Sequence, residues 1–223
     1  TELAPGGQDS EVAYAQAQGV GYSWYLLKRN PLSTVGATII LLLLLGALLA
    51  PVLSSYDPEK PDIDAANLPP SREHLMGTDG NGMDIFTRTL YAARVDLAIA
   101  VVGVSLAIAG GVVVGAITGY FGGVADNIVM RLLDSQQAFP TYILAMVVVV
   151  ALGPNLFNMM LVIAFVDYPV IARLVRAEML SAKERTYAEA ARVVGASRLA
   201  IIFRHLLPNC LTPVFVMGSL QAG

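Results

Sequence analysis

The sequence predicts an all-α domain that crosses a membrane several times. Of its 223 residues, 56% are hydrophobic and 14% are charged, and the mean hydropathy is +0.63. A soluble domain has about one quarter charged residues, which excludes a soluble fold. Five apolar runs approach or exceed the ~20 residues that a helix needs to cross the hydrocarbon. They cover residues 32–53, 97–118, 128–152, 156–172 and 206 onward.

The first and last runs differ from the others in their flanks. Residues 1–19 are polar, and run 32–53 is longer than the apolar part of a cleavable signal, so we expect it to remain as an anchor. From residue 207 to the last glycine a helix rises only about 25 Å, and no charged residue follows it. We therefore expect the chain to stop inside a fifth helix.

The second and third runs contain the residues that shape helix packing. Small residues recur at every fourth position of the second run, at Gly103, Ala107, Gly111, Gly115 and Gly119. Such a stripe lets another helix approach closely in lipid, and packing within the chain is favoured over a subunit interface. Pro140 interrupts the third run, where a proline frees a backbone carbonyl that needs another donor.

The positive charges predict the orientation in the membrane. With a cytoplasmic amino terminus, ten lysines and arginines lie inside and four lie in a large outer loop, as the positive-inside rule requires. The inner residues are Lys28, Arg29, Arg131, Arg173, Arg176, Lys183, Arg185, Arg192, Arg198 and Arg204, and the outer ones are Lys60, Arg72, Arg88 and Arg94. The acidic residues of the outer loop are expected to be hydrated.

No pattern in the sequence predicts catalysis or a metal site. None of the lysines follows a glycine-rich phosphate-binding loop, so we expect the chain not to hydrolyse ATP itself. The two histidines, His74 and His205, lie on opposite sides of the membrane in this topology and cannot share a metal. His74 with Asp79 and Asp84 is a less favoured alternative cation site in the outer loop.

Two acidic residues, Asp134 and Asp167, fall within apolar runs. A carboxylate in hydrocarbon is costly and normally faces a partner or a cavity. The favoured interpretation of Asp134 is a structural pair with Arg131, three residues earlier on the same helix face. The alternative is that Asp134, Gln136, Gln137 and Asp167 line a translocation path.

A polar segment, residues 184–208, lies between apolar runs and predicts a docking surface for another protein. Residues 184–194 favour a short helix, Gly195 favours a left-handed end, and Ser197 favours the cap of a second helix. A DNA-binding helix-turn-helix is the alternative for Ala191, Gly195 and Ser197. Bulky apolar residues at 201–203 and the flanking spans oppose it, so we expect no nucleic-acid partner.

The polar segment resembles the Glu-Ala-Ala loop of permease subunits in ATP-binding-cassette importers. That loop has Glu-Ala-Ala, three residues, Gly, nine residues, and Ile-x-Leu-Pro. The matching residues here are Glu189, Ala190, Ala191, Gly195, Leu207 and Pro208, while His205 stands in place of Ile. The resemblance implies that Glu189 offers a charge to a partner, and that Ala190 and Ala191 keep the contact face flat.

Further motifs resemble the dipeptide and oligopeptide permease family over residues 27–223. They are residues 74–79, 82–84, 91–94 and 120–123, Asp134 with Pro140, and residues 172–176. Met83 stands where Arg is usual, and Asp96 stands where a small polar residue is common.

The resemblance implies a six-span architecture, of which about five spans are present and the fifth is truncated. Residues 1–26 would be a cytoplasmic tail, 27–54 the first span, 55–94 an extracytoplasmic loop, and 95–223 a permease core with a cytoplasmic coupling loop at 177–207. Such a subunit sits in the inner or plasma membrane among its lipids and forms half of a path for peptides.

The same resemblance implies partners: a homologous second permease, an extracytoplasmic binding protein, and two ATPase subunits that hold ATP and magnesium. The chain itself would carry no cofactor. A nickel or other metal complex is the alternative substrate. An ion-coupled secondary transporter, for which Asp134 or Asp167 would be essential, and a membrane scaffold are less favoured alternatives.

Overall fold

The computed structural model describes residues 29–222, and every regular element in that range is helical. The helices are α1 (Pro31–Leu53), α2 (Ile85–Phe121), α3 (Gly123–Gln137), α4 (Thr141–Leu152), α5 (Leu156–Ala182), α6 (Thr186–Val193), α7 (Arg198–Ala200) and α8 (Leu207–Gln221), with a 3-10 turn at Ile63–Ala65 and a π-helix at Ile201–Leu206. Within the described range, four helical stretches are long and apolar enough to span a membrane, or five if α3 and α4 count as one bent span. This confirms the all-α membrane fold, while the predicted tail at 1–26 lies outside the described residues.

The described residues form two compact units, residues 29–94 and 95–222. In the first unit, Pro51 lies inside α1 and has no N–H to give to the carbonyl of Ala47. Arg94 supplies the missing donor: its Nε donates to Ala47 O, and its Nη2 donates to Leu48 O at 3.0 Å. An arginine near the start of α2 therefore satisfies the backbone that the proline leaves open.

Residues 54–84, predicted to lie outside the membrane and called the outer segment here, are folded around buried polar groups. Thr87 N–H donates to Asp84 Oδ1 at 2.7 Å at the start of α2, and His74 Nδ1 donates to Asp84 Oδ2 at 3.0 Å. Burial by itself would raise the pKa of Asp84, but the hydrogen bonds from Thr87 and His74 outweigh it and lower that pKa. Asp84 is 4% exposed, so the expectation that all acids of this loop are hydrated is wrong for it.

Helix α2 begins within the segment that the sequence predicts to be an irregular outer loop. Residues 85–94, placed in the outer loop by the sequence, form the first turns of this helix. The sequence does contain a signal for this helix start. Asp84 lies three residues before Thr87, and an aspartate in this position can cap the amino terminus of a helix.

In the second unit, the small residues of α2 pack against α5. A β-carbon on Gly111 would lie 2.6 Å from Ile171 Cβ, and one on Gly119 would lie 2.8 Å from the carbonyl oxygen of Arg176. Ala107 is fully buried. The favoured interpretation, helix packing within the chain, is confirmed, and we call this contact the glycine seam.

The third apolar run is divided at Pro140. Helices α3 and α4 are bent by 92° across residues 138–140, and Pro140 begins the second of them as its N-cap. The bend follows from the missing proline N–H and the steric restriction on Phe139 before it. It leaves the polar carboxyl end of α3 beside α5.

Candidate functional site

The polar segment begins with α6, which ends in a Schellman turn at Gly195. Gly195 has φ +82°, and the N–H groups of Gly195 and Ala196 donate to the carbonyls of Arg192 and Ala191 at 3.0 and 3.1 Å. This left-handed conformation suits glycine because it has no β-carbon. The predicted helix end at Gly195 is confirmed.

The second half of the polar segment runs without a break into α8. Ser197 Oγ accepts from the N–H of Ala200 at 3.3 Å, which confirms the predicted cap. Pro208 cannot donate to the carbonyl of Arg204, and the preceding turns widen into a π-helix in which Leu207 N–H reaches Ile202 O. A movement of the polar segment would therefore be transmitted directly to the last helix.

One face of the polar segment is packed into the core. Ala188, Ile202 and Leu206 are fully buried, and Ala191 and Leu207 are each 9% exposed. They lie in one cluster with Val175 and Met179 of α5 and Cys210 of α8, among others. The expectation that Ala191 lies on the contact face is wrong, because helical spacing places it with Ala188 on the inner side.

The opposite face is open. Glu189 and Ala190 are exposed, and Val193 and Val194 at the tip are 87% and 86% exposed. Leu199, after the glycine turn, extends this apolar surface. A small acidic and apolar surface thus lies on a rigid support.

Two basic side chains tie the polar segment to the membrane helices. Arg192 Nη2 donates to the carbonyl of Lys183 at 2.7 Å, just after α5 ends. Lys183 Nζ donates in turn to the carbonyl of Gly119 at 3.0 Å, near the end of α2. Both side chains donate to carbonyls that the end of a helix leaves without an intrahelical donor, and they connect the polar segment to the glycine seam.

A second candidate site lies where α3 and α4 meet α5. A cavity of about 240 Å³ is lined by Gln136, Gln137 and Asp167, together with apolar residues such as Phe139 and Leu144. The structure thus brings together three of the four residues predicted to line a path. Asp134 is not among the residues that line this cavity.

Asp134 instead pairs with Arg173 of α5, with 2.8 Å between Oδ1 and Nη2. The expected pair with Arg131 is wrong, because the partner comes from a neighbouring helix. Arg173 also donates to Gln137 Oε1. The Asp134 side chain is 56% exposed, so this pair is worth little stability by itself.

A stronger ion pair was not predicted from the sequence. Arg176 Nε and Nη2 donate to the two carboxylate oxygens of Asp126, each at 2.6 Å, which joins α3 to α5. Asp126 is 6% exposed. A planar bidentate pair of this kind fixes the relative position of the two helices.

Comparison with known proteins identifies the family. Residues 111–223 match the model of the binding-protein-dependent transport system inner membrane component, and residues 21–70 match the N-terminal transmembrane domain of oligopeptide transport permease C. The chain belongs to this permease family. It is therefore a multi-pass protein of the inner membrane, and residues of both candidate sites lie within the larger match.

Curated relatives of this permease support the same assignment. The probable D,D-dipeptide transport system permease protein of Escherichia coli is 41% identical over 199 residues, 89% of this chain and 67% of the relative. The dipeptide transport system permease protein of Haemophilus influenzae is 37% identical over 218 residues, 95% of this chain and 74% of the relative. The glutathione transport system permease protein of Pectobacterium atrosepticum is 37% identical over 201 residues, 90% of this chain and 67% of the relative. The permease chain thus spans about two thirds of the length of many relatives.

Proposed function

We propose that this permease is a non-catalytic subunit of an ATP-driven importer that takes up peptides. It would form half of the path with a homologous second permease and receive its cargo from an extracytoplasmic binding protein. Two ATPase subunits with ATP and magnesium would supply the energy. The distribution of lysine and arginine supports a cytoplasmic amino terminus, which puts the polar segment on the ATPase side.

The observation that carries the proposal is the two-faced polar segment. Its exposed face offers Glu189, Ala190, Val193 and Val194 to a partner, while its inner face is locked into the helices of the core. Because this surface is exposed and its inner side is packed against α5 and α8, an ATPase that moves it would also move these two helices. Partner contacts would be centred on the apolar tip, with the carboxylate of Glu189 at its rim.

The relatives favour peptides as the cargo. Their names include dipeptides, D,D-dipeptides and glutathione, all of which contain peptide-like bonds and charged ends. A cavity between helices that is lined by both polar and apolar side chains suits such a cargo. We propose that Gln136, Gln137 and Asp167 line this chain's side of the path, with Asp134 at its edge holding Arg173.

The proposal is tested by what co-purifies with the protein. The full-length chain is expressed with its natural neighbours, extracted in mild detergent, and analysed by mass spectrometry. We expect a second permease and ATPase subunits with the wild type, and about tenfold less ATPase with Val194→Glu, since a charge at the apolar tip resists desolvation.

Leu75→Glu is the matched control, because Leu75 is also exposed but lies in the outer segment. It should retain the ATPases. Recovery of the wild-type chain alone would overturn the importer, and undiminished ATPase on Val194→Glu would overturn the docking surface.

A further inference from the structure

The cavity between α3, α4 and α5 has one charged group among the described residues that line it. That group is Asp167, on α5, and it lies beside Val166 and Val170. Within residues 29–222 its carboxylate has no hydrogen-bond or ion-pair partner, although it is partly buried. A carboxylate in such a place normally faces a cavity or a cation.

The two glutamines that line the cavity already form hydrogen bonds with other groups. Gln136 Nε2 donates to Phe165 O at 2.6 Å, and its Oε1 accepts from Tyr168 Oη at 3.1 Å. Gln137 Oε1 accepts from Arg173. These bonds engage both glutamines, whereas the Asp167 carboxylate accepts no hydrogen bond from the described residues.

Arg173, the arginine that follows Asp167 on α5, is paired with other groups. Arg173 is held by Asp134 at 2.8 Å and by Gln137. The two carboxylates predicted together as path-lining groups therefore have different surroundings: Asp134 has a cationic partner, and Asp167 has none among the described residues. Among the described residues that line the cavity, Asp167 is thus the one acidic group, and its carboxyl is not paired with an arginine or lysine.

Resting on the proposed function, we propose that Asp167 binds the primary ammonium group of the cargo as it passes through the permease. An ammonium group donates hydrogen bonds and carries a positive charge, so it can act as the partner that Asp167 lacks among the described residues. Pockets that hold a whole drug-sized ligand measure roughly 300–1,000 Å³. A cavity of about 240 Å³ therefore suits the amino-terminal residue of a peptide better than its entire length.

The test uses the complete importer in proteoliposomes, with its binding protein at saturation. Uptake of labelled dialanine and ATP hydrolysis are measured for the wild type, Asp167→Asn and Asp167→Glu. We expect Asp167→Asn to lower uptake about tenfold, since a charge-assisted hydrogen bond is lost, while stimulated ATP hydrolysis persists. Asp167→Glu keeps the charge and should restore at least part of the uptake.

Asp96→Asn is the matched control. Asp96 is an exposed carboxylate on α2 and is not among the residues that line this cavity. Dialanine uptake by the importer with Asp96→Asn should therefore match that of the wild type. Gel filtration of each variant shows whether the importer is assembled.

Two outcomes would overturn the inference. Normal uptake by Asp167→Asn would overturn it and leave the importer intact. Equal loss of uptake in Asp167→Asn and Asp167→Glu, together with loss of stimulated ATP hydrolysis, would also overturn it, because that result indicates a structural role for Asp167. A wild-type preparation without dialanine uptake or stimulated ATP hydrolysis would instead refute the proposed function.

Discussion

The glycine seam and the polar segment both depend on very small residues, but they use them in opposite ways. In the seam, a β-carbon on Gly115 would lie 2.8 Å from Val175 Cβ and closer still to the carbonyl oxygen of Ala172. In the polar segment, a β-carbon on Gly195 would meet nothing within 4 Å, and Ala190 is exposed. Small residues therefore allow backbone contact in the first region and leave a flat free surface in the second.

The difference separates a fixed part of the permease from a part suited to transmit force. The seam holds α2 against α5, and dispersion contacts between closely packed backbones stabilise it. The polar segment packs on one side only. Because Lys183 bonds to Gly119 while Arg192 bonds to Lys183, the two regions are connected at one end.

The largest effect should come from filling the seam. We expect Gly115→Ala to destabilise the protein by about 1–3 kcal/mol or more, because the added methyl group meets backbone that cannot move aside easily. The free energy of unfolding is measured in detergent by titration with a denaturing surfactant.

Gly36→Ala is the control for this prediction. A β-carbon on Gly36, in α1, would meet nothing within 4 Å, so its effect should lie within about 0.5 kcal/mol or be slightly stabilising. Equal stabilities of the two variants would contradict the close approach of α2 and α5.

A smaller effect should follow from cutting the connection between the two regions. Lys183→Met removes the bond to Gly119 O and should cost about 1–2 kcal/mol of unfolding free energy. Lys60→Met, at an exposed position of the outer segment, should change stability by less than about 0.5 kcal/mol. The same surfactant titration checks both variants. If Lys183→Met loses no more unfolding free energy than Lys60→Met, the bond from Lys183 to Gly119 does not stabilise the protein.

Local signals predicted much of this structure, and contacts between distant residues could not be predicted from them. Gly195, Ser197 and the stripe ending at Gly119 act on neighbouring backbone or through helical spacing, so the sequence alone was sufficient. Asp134 has Arg131 nearby in sequence, but the α3–α4 bend brings it to Arg173 instead. Which of the two arginines pairs with Asp134 depends on how the helices pack.

The inner and outer faces of α6 show the same limit. Glu-Ala-Ala predicted a contact motif, yet only the packed helix distinguishes the buried Ala191 from the exposed Ala190. The charges of Asp126 and Arg176 were visible in the sequence, but no local pattern joins residues on two separate helices.

The most direct test of the two-faced polar segment is the uptake of dialanine per ATP hydrolysed by the complete importer carrying Ala190→Trp. We expect a normally assembled complex that hydrolyses ATP but takes up about tenfold less peptide, because the bulky side chain misaligns the ATPase on the contact face while the apolar tip and the core stay intact. Ala191→Trp, at the adjacent buried position, should instead reduce the yield of folded protein. Wild-type uptake per ATP in Ala190→Trp would contradict the account.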